Sequence, residues 1–110
     1  MALIFPWGLC VSQDSPISSN ALPINGRVVA GSASISWLKS GENSTMVIRQ
    51  TSGRAVIGWD GFNVGKNSTV VFITPDSISG TLNRVRAGSV VTINGKIKSN
   101  GHLAINAPSI

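Results

Sequence analysis

The strongest constraint on the fold is a series of short runs rich in Val, Ile and Thr, separated by turn residues. The runs include TMVIRQ, RAVIGW, TVVFIT and SVVTINGKI, and Ser-Gly, Asp-Gly or Asn-Gly pairs stand at several of the joints. β-Branched residues suit a pleated strand, and Gly, Asn and Asp suit the turns between strands. No stretch holds the i, i+3, i+4, i+7 apolar stripe of an amphipathic helix. The chain is therefore expected to be all-β.

Length and strand spacing leave two architectures open. At 110 residues the chain fits one domain. A β-sandwich has strands about every 8–12 residues joined by hairpin turns, whereas a β-solenoid stacks coils of roughly 20–25 residues. The segments INGKI and SNGHLAI each place a turn pair before a short inward-facing run. This repeated arrangement of a turn before a short strand favours the stacked coils of a β-solenoid. Strand propensity alone does not decide between a solenoid and a sandwich.

The charge of the chain is spread out rather than clustered. Nine Lys and Arg against four Asp and Glu give a formal net charge of +5, and charged residues make up 12% of the chain. Surfaces that bind nucleic acid cluster their basic residues and interleave them with aromatic ones. Here the closest basic pairs, Arg84/Arg86 and Lys96/Lys98, have no aromatic residue near them in sequence. Nucleic acid is therefore not expected as a partner.

The segment from Met1 to Ala21 has the pattern of an export leader. Its apolar run, MALIFPWGLCV, is too short to span a bilayer but suits the apolar region of a signal peptide. Ser19 and Ala21 place small residues at the −3 and −1 positions of a cleavage site after Ala21. A basic segment before the apolar run is lacking. Cys10 is the one cysteine, so a mature chain that starts at Leu22 has no disulfide.

The residues needed for catalysis or metal binding are scarce. After Ala21 the acidic residues are Glu42, Asp60 and Asp76, well separated in sequence, and His102 is the one histidine. Hydrolysis of polysaccharides needs paired carboxylates, and metal sites need clusters of ligands. No nucleophile-elbow motif accompanies His102. The chain is expected not to be an enzyme, with no catalytic residue, metal or cofactor.

Four segments resemble the two-partner secretion (TPS) domain, the N-terminal haemagglutination-activity region of exoproteins similar to filamentous haemagglutinin. They are ALPINGRVVAGSASIS, MVIRQTSGRAVIGWDGFNVGKNSTVVF, LNRV and GKIKSNGHLAIN, and the resemblance covers residues 21–110. It implies a right-handed parallel β-helix, with the option of small antiparallel capping strands. The implied organisation is a leader over residues 1–21 and the secretion domain over residues 22–110.

The resemblance also implies a function. Domains of this family are the secretion-targeting signals of large adhesins or haemagglutinins in Gram-negative bacteria, and some of these exoproteins are virulence factors. The exported chain enters the periplasm unfolded and is captured by the POTRA domains of an outer-membrane transporter. It then folds at the cell surface, where downstream regions can contact host cells or glycans. The chain is accordingly expected outside the cell or on its surface.

Two sets of residues are singled out by the resemblance. Those expected to contact the transporter are Asn83, Arg84, Val85, Asn106, Ala107, Pro108 and Ser109, although an inward-facing Asn83 is an equal alternative. Trp59 and Phe62, with Asp60 and Gly61 between them, are expected to bracket a corner of the coil. The two aromatic residues are expected in the core or as a cap, with direct contact to the transporter as the alternative. Where the family has N-P-N-G-I this chain has NAPSI, so a truncated or degenerate relative is expected.

Two other functions remain open from the residues. The chain can be a small β module that binds a cell surface or glycan, with Trp37 and Trp59 stacking on sugars. It can also be a non-functional fragment of a larger exoprotein.

Overall fold

The computed structural model describes residues 17–107, so most of the predicted leader, and Pro108 and Ser109, lie outside the described residues. Within residues 17–107 the chain forms ten strands and no helix. The strands are β1 (Arg27–Ala30), β2 (Ala33–Ser40), β3 (Asn43–Gln50), β4 (Arg54–Trp59), β5 (Asn63–Val64), β6 (Ser68–Ile73), β7 (Gly80–Val85), β8 (Thr92–Ile93), β9 (Lys96–Ser99) and β10 (His102–Asn106).

The strands from β3 onward wind into stacked coils. Parallel pairing joins β3 to β6 to β9, β4 to β7 to β10, and β5 to β8. Thr45 lies opposite Thr69 and Thr69 lies opposite Lys96, so the chain completes one coil between each residue and its partner. Parallel neighbours need such a long crossover, whereas the sandwich alternative would use hairpins. The predicted all-β, parallel β-helix is confirmed.

Two antiparallel strands cap the first coil, as the resemblance allowed. β2 forms a hairpin with β3, and β1 pairs antiparallel with β4 with a bulge between Val28 and Ala30. The resulting sheets have the strand orders β9-β6-β3-β2 and β10-β7-β4-β1. Gly26 lies against the indole of Trp59, where an added Cβ would be 2.5 Å from the ring. The cap therefore closes the core on the side of the first coil.

The core lies between the two four-stranded sheets and the two-stranded sheet β5-β8, and it follows the alternation of the strands. In β6, for example, Ser68, Val70 and Phe72 are buried, and the residues between them face outward. Among the described residues the main cluster of buried apolar side chains comes from the first two coils: Met46, Ile48, Ile57, Trp59, Phe62, Val64, Val70, Phe72 and Val85. The inward-facing Ile97, Leu103 and Ile105 of the third coil are only half-buried. The described part of the chain contains no helix long and apolar enough to cross a membrane.

Candidate functional site

The structure brings together the two segments predicted to contact the transporter. β7 and β10 are parallel neighbours, with Ile105 opposite Asn83 and Asn106 opposite Arg84. The segments 83–85 and 106–107 therefore lie side by side on one sheet, although a whole coil separates them along the chain. Pro108 and Ser109, the rest of the second predicted segment, fall outside the described residues.

Asn83 faces the core and is fully buried. Its Oδ1 accepts a 2.9 Å hydrogen bond from the indole Nε1 of Trp59, and its Nδ2 donates to the main-chain oxygen of Ala104 at 3.2 Å. The side chain thus links β4, β7 and β10, one strand from each coil. A buried amide without such partners would destabilise the fold, so in the folded chain Asn83 is a structural residue.

Arg84 faces solvent, as the alternation of β7 requires, while its neighbour Val85 is buried. On the outer face Arg84 lies between Gly58 of β4 and Asn106 of β10, and Gly58 in turn lies opposite Arg27 of β1. Asn106 is exposed and Ala107 is half-buried against the core. Of the predicted contact residues, Arg84 and Asn106 are therefore the two exposed ones among those that the structure describes.

Trp59 ends β4, and the residues from Asp60 to Phe62 connect it to β5, where the chain turns from one side of the coil to the next. The rings of Trp59 and Phe62 meet edge to face, with centroids 5.6 Å apart and an interplanar angle of 83°. Both side chains are buried. The main-chain N of Ile24 donates to Gly61 O at 2.9 Å and the N of Asp60 donates to Ile24 O at 3.1 Å. These bonds hold the segment that leads into β1 against the corner.

The carboxylate of Asp60 lies beside the row of outward-facing residues Arg27, Gly58, Arg84 and Asn106. Its Oδ2 accepts a 2.8 Å hydrogen bond from Asn25 Nδ2, and its Oδ1 is 3.4 Å from Arg27 Nη1. The Asn25 hydrogen bond, with smaller effects from Arg27 and Arg86, lowers the pKa of Asp60 below its usual 3.8 despite an opposing desolvation. This carboxylate therefore offsets part of the positive charge of the row.

Sequence reasoning did not identify Arg27 or Gly58 as neighbours of Arg84. The pairing of β1 with β4 places Arg27 opposite Gly58, and the pairing of β4 with β7 places Gly58 opposite Arg84. The two-residue alternation of RAVIGW indicates that Gly58 faces outward. The antiparallel cap that aligns Arg27 with it has no signal in the strand pattern.

Residues 18–21, which the leader prediction assigned to the removed segment, contact the coil. Gly65 N donates to Ala21 O at 3.0 Å, and Asn67 N donates to Ser19 O at 2.8 Å. Asn20 Nδ2 donates to Glu42 O at 2.7 Å. An added Cβ at Gly65 would collide with the carbonyl oxygens of Ser18 and Ser19. Cleavage after Ala21 stays a prediction, and it would remove all of these contacts.

Within the part of the chain that the structure describes, no group of three or more His, Cys, Asp and Glu residues is arranged to hold a metal ion. Trp59, one of two residues considered for sugar stacking, is 1% exposed and cannot present its ring to a ligand. Trp37 is 63% exposed.

The chain is similar to a small part of two larger proteins of Haemophilus influenzae. A heme/hemopexin-binding protein of Haemophilus influenzae (strain ATCC 51907 / DSM 11121 / KW20 / Rd) is 34% identical over 92 residues, which cover 84% of this chain and 10% of that protein. Another heme/hemopexin-binding protein of Haemophilus influenzae is 34% identical over 64 residues, 58% of this chain and 7% of that protein. The chain thus spans a tenth or less of the length of these relatives.

A solved structure has the same fold. The crystal structure of the HMW1 secretion domain from Haemophilus influenzae matches with a TM-score of 0.67 at 28% identity, covering 77% of this chain and 22% of that one. These two relatives and this solved structure do not carry the name of an enzyme. The family model of the TPS secretion domain matches residues 18–109. Exoproteins of this family are secreted across the outer membrane with a two-partner transporter. The chain belongs to the TPS secretion domain family, whose role is to target an exoprotein for two-partner secretion.

Proposed function

We propose that this chain is the N-terminal secretion-targeting domain of a large adhesin- or haemagglutinin-like exoprotein. In this proposal a signal peptide directs it into the periplasm. The unfolded chain is captured there by the POTRA domains of an outer-membrane transporter and then seeds β-helix folding at the cell surface.

The observation that supports the proposal is the alternation of buried and exposed side chains along β7. Asn83 and Val85 are buried, whereas Arg84 between them is exposed. An unfolded segment can add to the edge of a partner's sheet through its main chain, with alternate side chains supplying specificity. Arg84 can then contact the transporter while Asn83 and Val85 remain available for the core. Folding would withdraw Asn83 from any partner.

The third coil supports the seeding step. β9 and β10 are the last strands of their sheets, and Ile97, Leu103 and Ile105 are only half-buried between them. A further coil that paired with these edges would complete the burial of the three side chains. In stacked-coil proteins each coil is stabilised mainly by its neighbours, so a folded coil lowers the barrier to adding the next one.

The test measures capture by the POTRA domains of the two-partner transporter encoded next to this chain. The chain is unfolded in urea and diluted into labelled POTRA domains, and anisotropy follows the binding. We expect saturable binding that Arg84→Glu weakens about tenfold, since charge reversal acts on a cationic contact. A parallel sample, folded before mixing, is expected to bind more weakly.

The matched control is Lys39→Glu, the same charge change at the exposed end of β2. Equal weakening by Lys39→Glu would show that net charge, not Arg84, governs binding. Equal binding by the pre-folded chain would contradict capture of an unfolded state. Absence of saturable binding in both samples would remove POTRA recognition from the proposal.

A surface-binding module is the second candidate, favoured by the exposure of Trp37 and Leu38, 63% and 64%. An exposed indole can stack on the face of a sugar. A glycan array probed with the folded chain tests this: binding lost in Trp37→Ala and kept in Leu38→Ala would support it. If the chain binds no glycan on the array, the surface-binding candidate is removed and secretion targeting is the remaining proposal.

A further inference from the structure

The outer face of the sheet β10-β7-β4-β1 carries an apolar row that no part of the described chain covers. Ala30, Val56, Leu82 and Ala104 lie opposite one another on the four successive strands. They face outward, because the residues on either side of Val56 and Leu82 are buried. Ile78, 82% exposed, stands beside the row, and the open groove over Val56, Leu82 and Ala104 has a volume of about 450 Å³.

Positive charge borders this groove on both sides. Arg54 lies two residues before Val56 along β4, in a row with Gly80 and His102. Arg84 lies two residues after Leu82 along β7, on the opposite side of the groove. Among the described residues neither arginine has an ion pair or a side-chain hydrogen bond. No Asp or Glu within residues 17–107 lines the groove.

We infer that this face binds an amphipathic α-helix of a partner protein whose apolar stripe is bordered by Asp or Glu on both sides. The apolar row would receive the stripe, and Arg54 and Arg84 would pair with the acidic borders. This is the helix-in-groove mode of recognition, in which charge sets orientation and apolar burial supplies affinity. It concerns the folded domain and needs no transporter, so it does not rest on the proposed function.

Spacing favours a helix over an extended strand. Neighbouring strands are about 4.8 Å apart, so Val56, Leu82 and Ala104 repeat at that interval. Helical side chains on one face repeat about every 5.4 Å, whereas same-face residues of a strand repeat about every 6.7 Å. The two arginine rows are each two residues, or about 6.7 Å, from the apolar row. A helix about 10 Å wide can therefore place acidic side chains above both rows.

A bound anionic glycan is a weaker explanation of the same surface. A sulfated or phosphorylated sugar would pair with Arg54 and Arg84 but would leave the side chains of Val56 and Leu82 without an apolar partner. The apolar floor and the charged borders together fit a polypeptide.

The experiment uses the folded 110-residue chain and a fluorescent, side-chain-stapled peptide of about 15 residues, long enough to hold a helix once stapled. The peptide has leucines at i, i+4 and i+7 and glutamates on both flanks. A scrambled peptide of the same composition is the first control. We expect saturable binding of the helical peptide and at least about tenfold weaker binding of the scrambled one, because the contacts depend on the amphipathic pattern.

Three variants of the chain then locate the site. Arg54→Glu and Ala104→Glu are expected to weaken binding about tenfold, the first by charge reversal and the second by placing a carboxylate in the groove floor. Lys98→Glu, the same charge change on the outer face of the other sheet, is expected to change it less than about twofold. A peptide with lysines in place of the glutamates on one flank only is expected to regain binding to Arg54→Glu, because its other flank still pairs with Arg84. Urea midpoints confirm that each variant is folded.

The opposite results would overturn the inference. Equal weakening by Lys98→Glu and Arg54→Glu would show that the net charge of the chain, and not Arg54, governs the binding. Equal binding of the scrambled peptide would exclude helix recognition. Binding of heparin with the same dependence on Arg54, together with no binding of the helical peptide, would assign the surface to an anionic glycan. Self-association of the chain that Ala104→Glu abolishes, again without peptide binding, would assign it to a second copy.

Discussion

The indole Nε1 of Trp59 donates a 2.9 Å hydrogen bond to Oδ1 of Asn83, with both side chains buried in the core. Trp59 ends the β4 strand of the first coil and Asn83 lies in the β7 strand of the second. The other end of the amide reaches Ala104 of the third coil. One side chain therefore fixes the relative position of three coils, inside a segment that the family resemblance assigns to transporter contact.

Breaking this pair on one side should destabilise the fold. Asn83→Leu leaves the indole N–H buried without an acceptor, which costs about 1–3 kcal/mol of unfolding free energy. Trp59→Phe should cost more, because it also opens a cavity. In the double variant the two losses should be less than additive, since neither polar group is left unpaired. Urea unfolding of the four proteins measures this coupling.

The control for this cycle is Arg84→Ala, one residue away and exposed, which should change stability by no more than about 0.5 kcal/mol. Strict additivity of Asn83→Leu and Trp59→Phe would show that the hydrogen bond contributes nothing to stability.

Gly65 makes the packing of residues 18–21 testable. Gly65→Ala should destabilise the full chain by about 1–3 kcal/mol, because the methyl group collides with the carbonyl oxygens of Ser18 and Ser19. In a chain that begins at Leu22 the same substitution should cost much less, since its collision partners are gone. Thermal unfolding of the four proteins provides the comparison.

Gly53→Ala is the matched control, because nothing lies within 4 Å of its added Cβ. It should behave alike in both chain lengths. If the Leu22 start leaves stability unchanged and Gly65→Ala is equally costly in both chains, residues 18–21 are not part of the folded domain. Mass spectrometry of the exported protein then shows whether cleavage follows Ala21.

Asp60 should make stability depend on acid pH. Its pKa is lowered in the folded chain, chiefly by the hydrogen bond from Asn25. Its stabilising effect is therefore present above the unfolded pKa, near 3.8, and is lost as the pH falls through the lower folded-state pKa. NMR titration of the Asp60 carboxyl should give a midpoint below 3.8. Asn25→Gly removes the donor and keeps a residue suited to the positive φ of 55°, so the midpoint should move back upward. An unchanged midpoint would assign the shift to the arginines.

A second buried polar contact, between Gln50 and Thr81, should also be needed for stacking. The Thr81 hydroxyl donates to Gln50 Oε1 at 2.5 Å, and Gln50 Nε2 donates to Ser52 O at 2.8 Å. Thr81→Val keeps the shape of the side chain and removes the donor, so a loss of about 1–2 kcal/mol is expected. Thr69→Val, on the outer face of β6, should be nearly neutral in the same urea titration. Equal effects of the two substitutions would show that the Gln50 contact is not stabilising.

Much of the fold could be predicted from local sequence, but the site could not. The alternation of TVVFIT and LNRV indicates which side chains face inward, and the structure agrees at Val70, Phe72 and Val85. Whether Arg84 meets Asn106 depends on the length of a coil. Gly80 lies opposite both Arg54 and His102, so the coil from β4 to β7 is longer than the coil from β7 to β10. The loops between the strands accommodate the extra residues of the longer coil. The periodicity of the strands does not predict the length of these loops.

The amino-acid sequence by itself determined that the chain forms strands and turns, because β-branched side chains and Gly, Asn and Asp restrict the backbone locally. Only the tertiary structure decided which polar and aromatic residues are available to a partner. Trp59 and Trp37 are the same residue type on strands, yet one is 1% exposed and the other 63%. The difference arises because Gly26 and Asn83 come from other parts of the chain to cover Trp59. Burial depends on neighbours in space, which stacking and capping supply and local sequence does not encode.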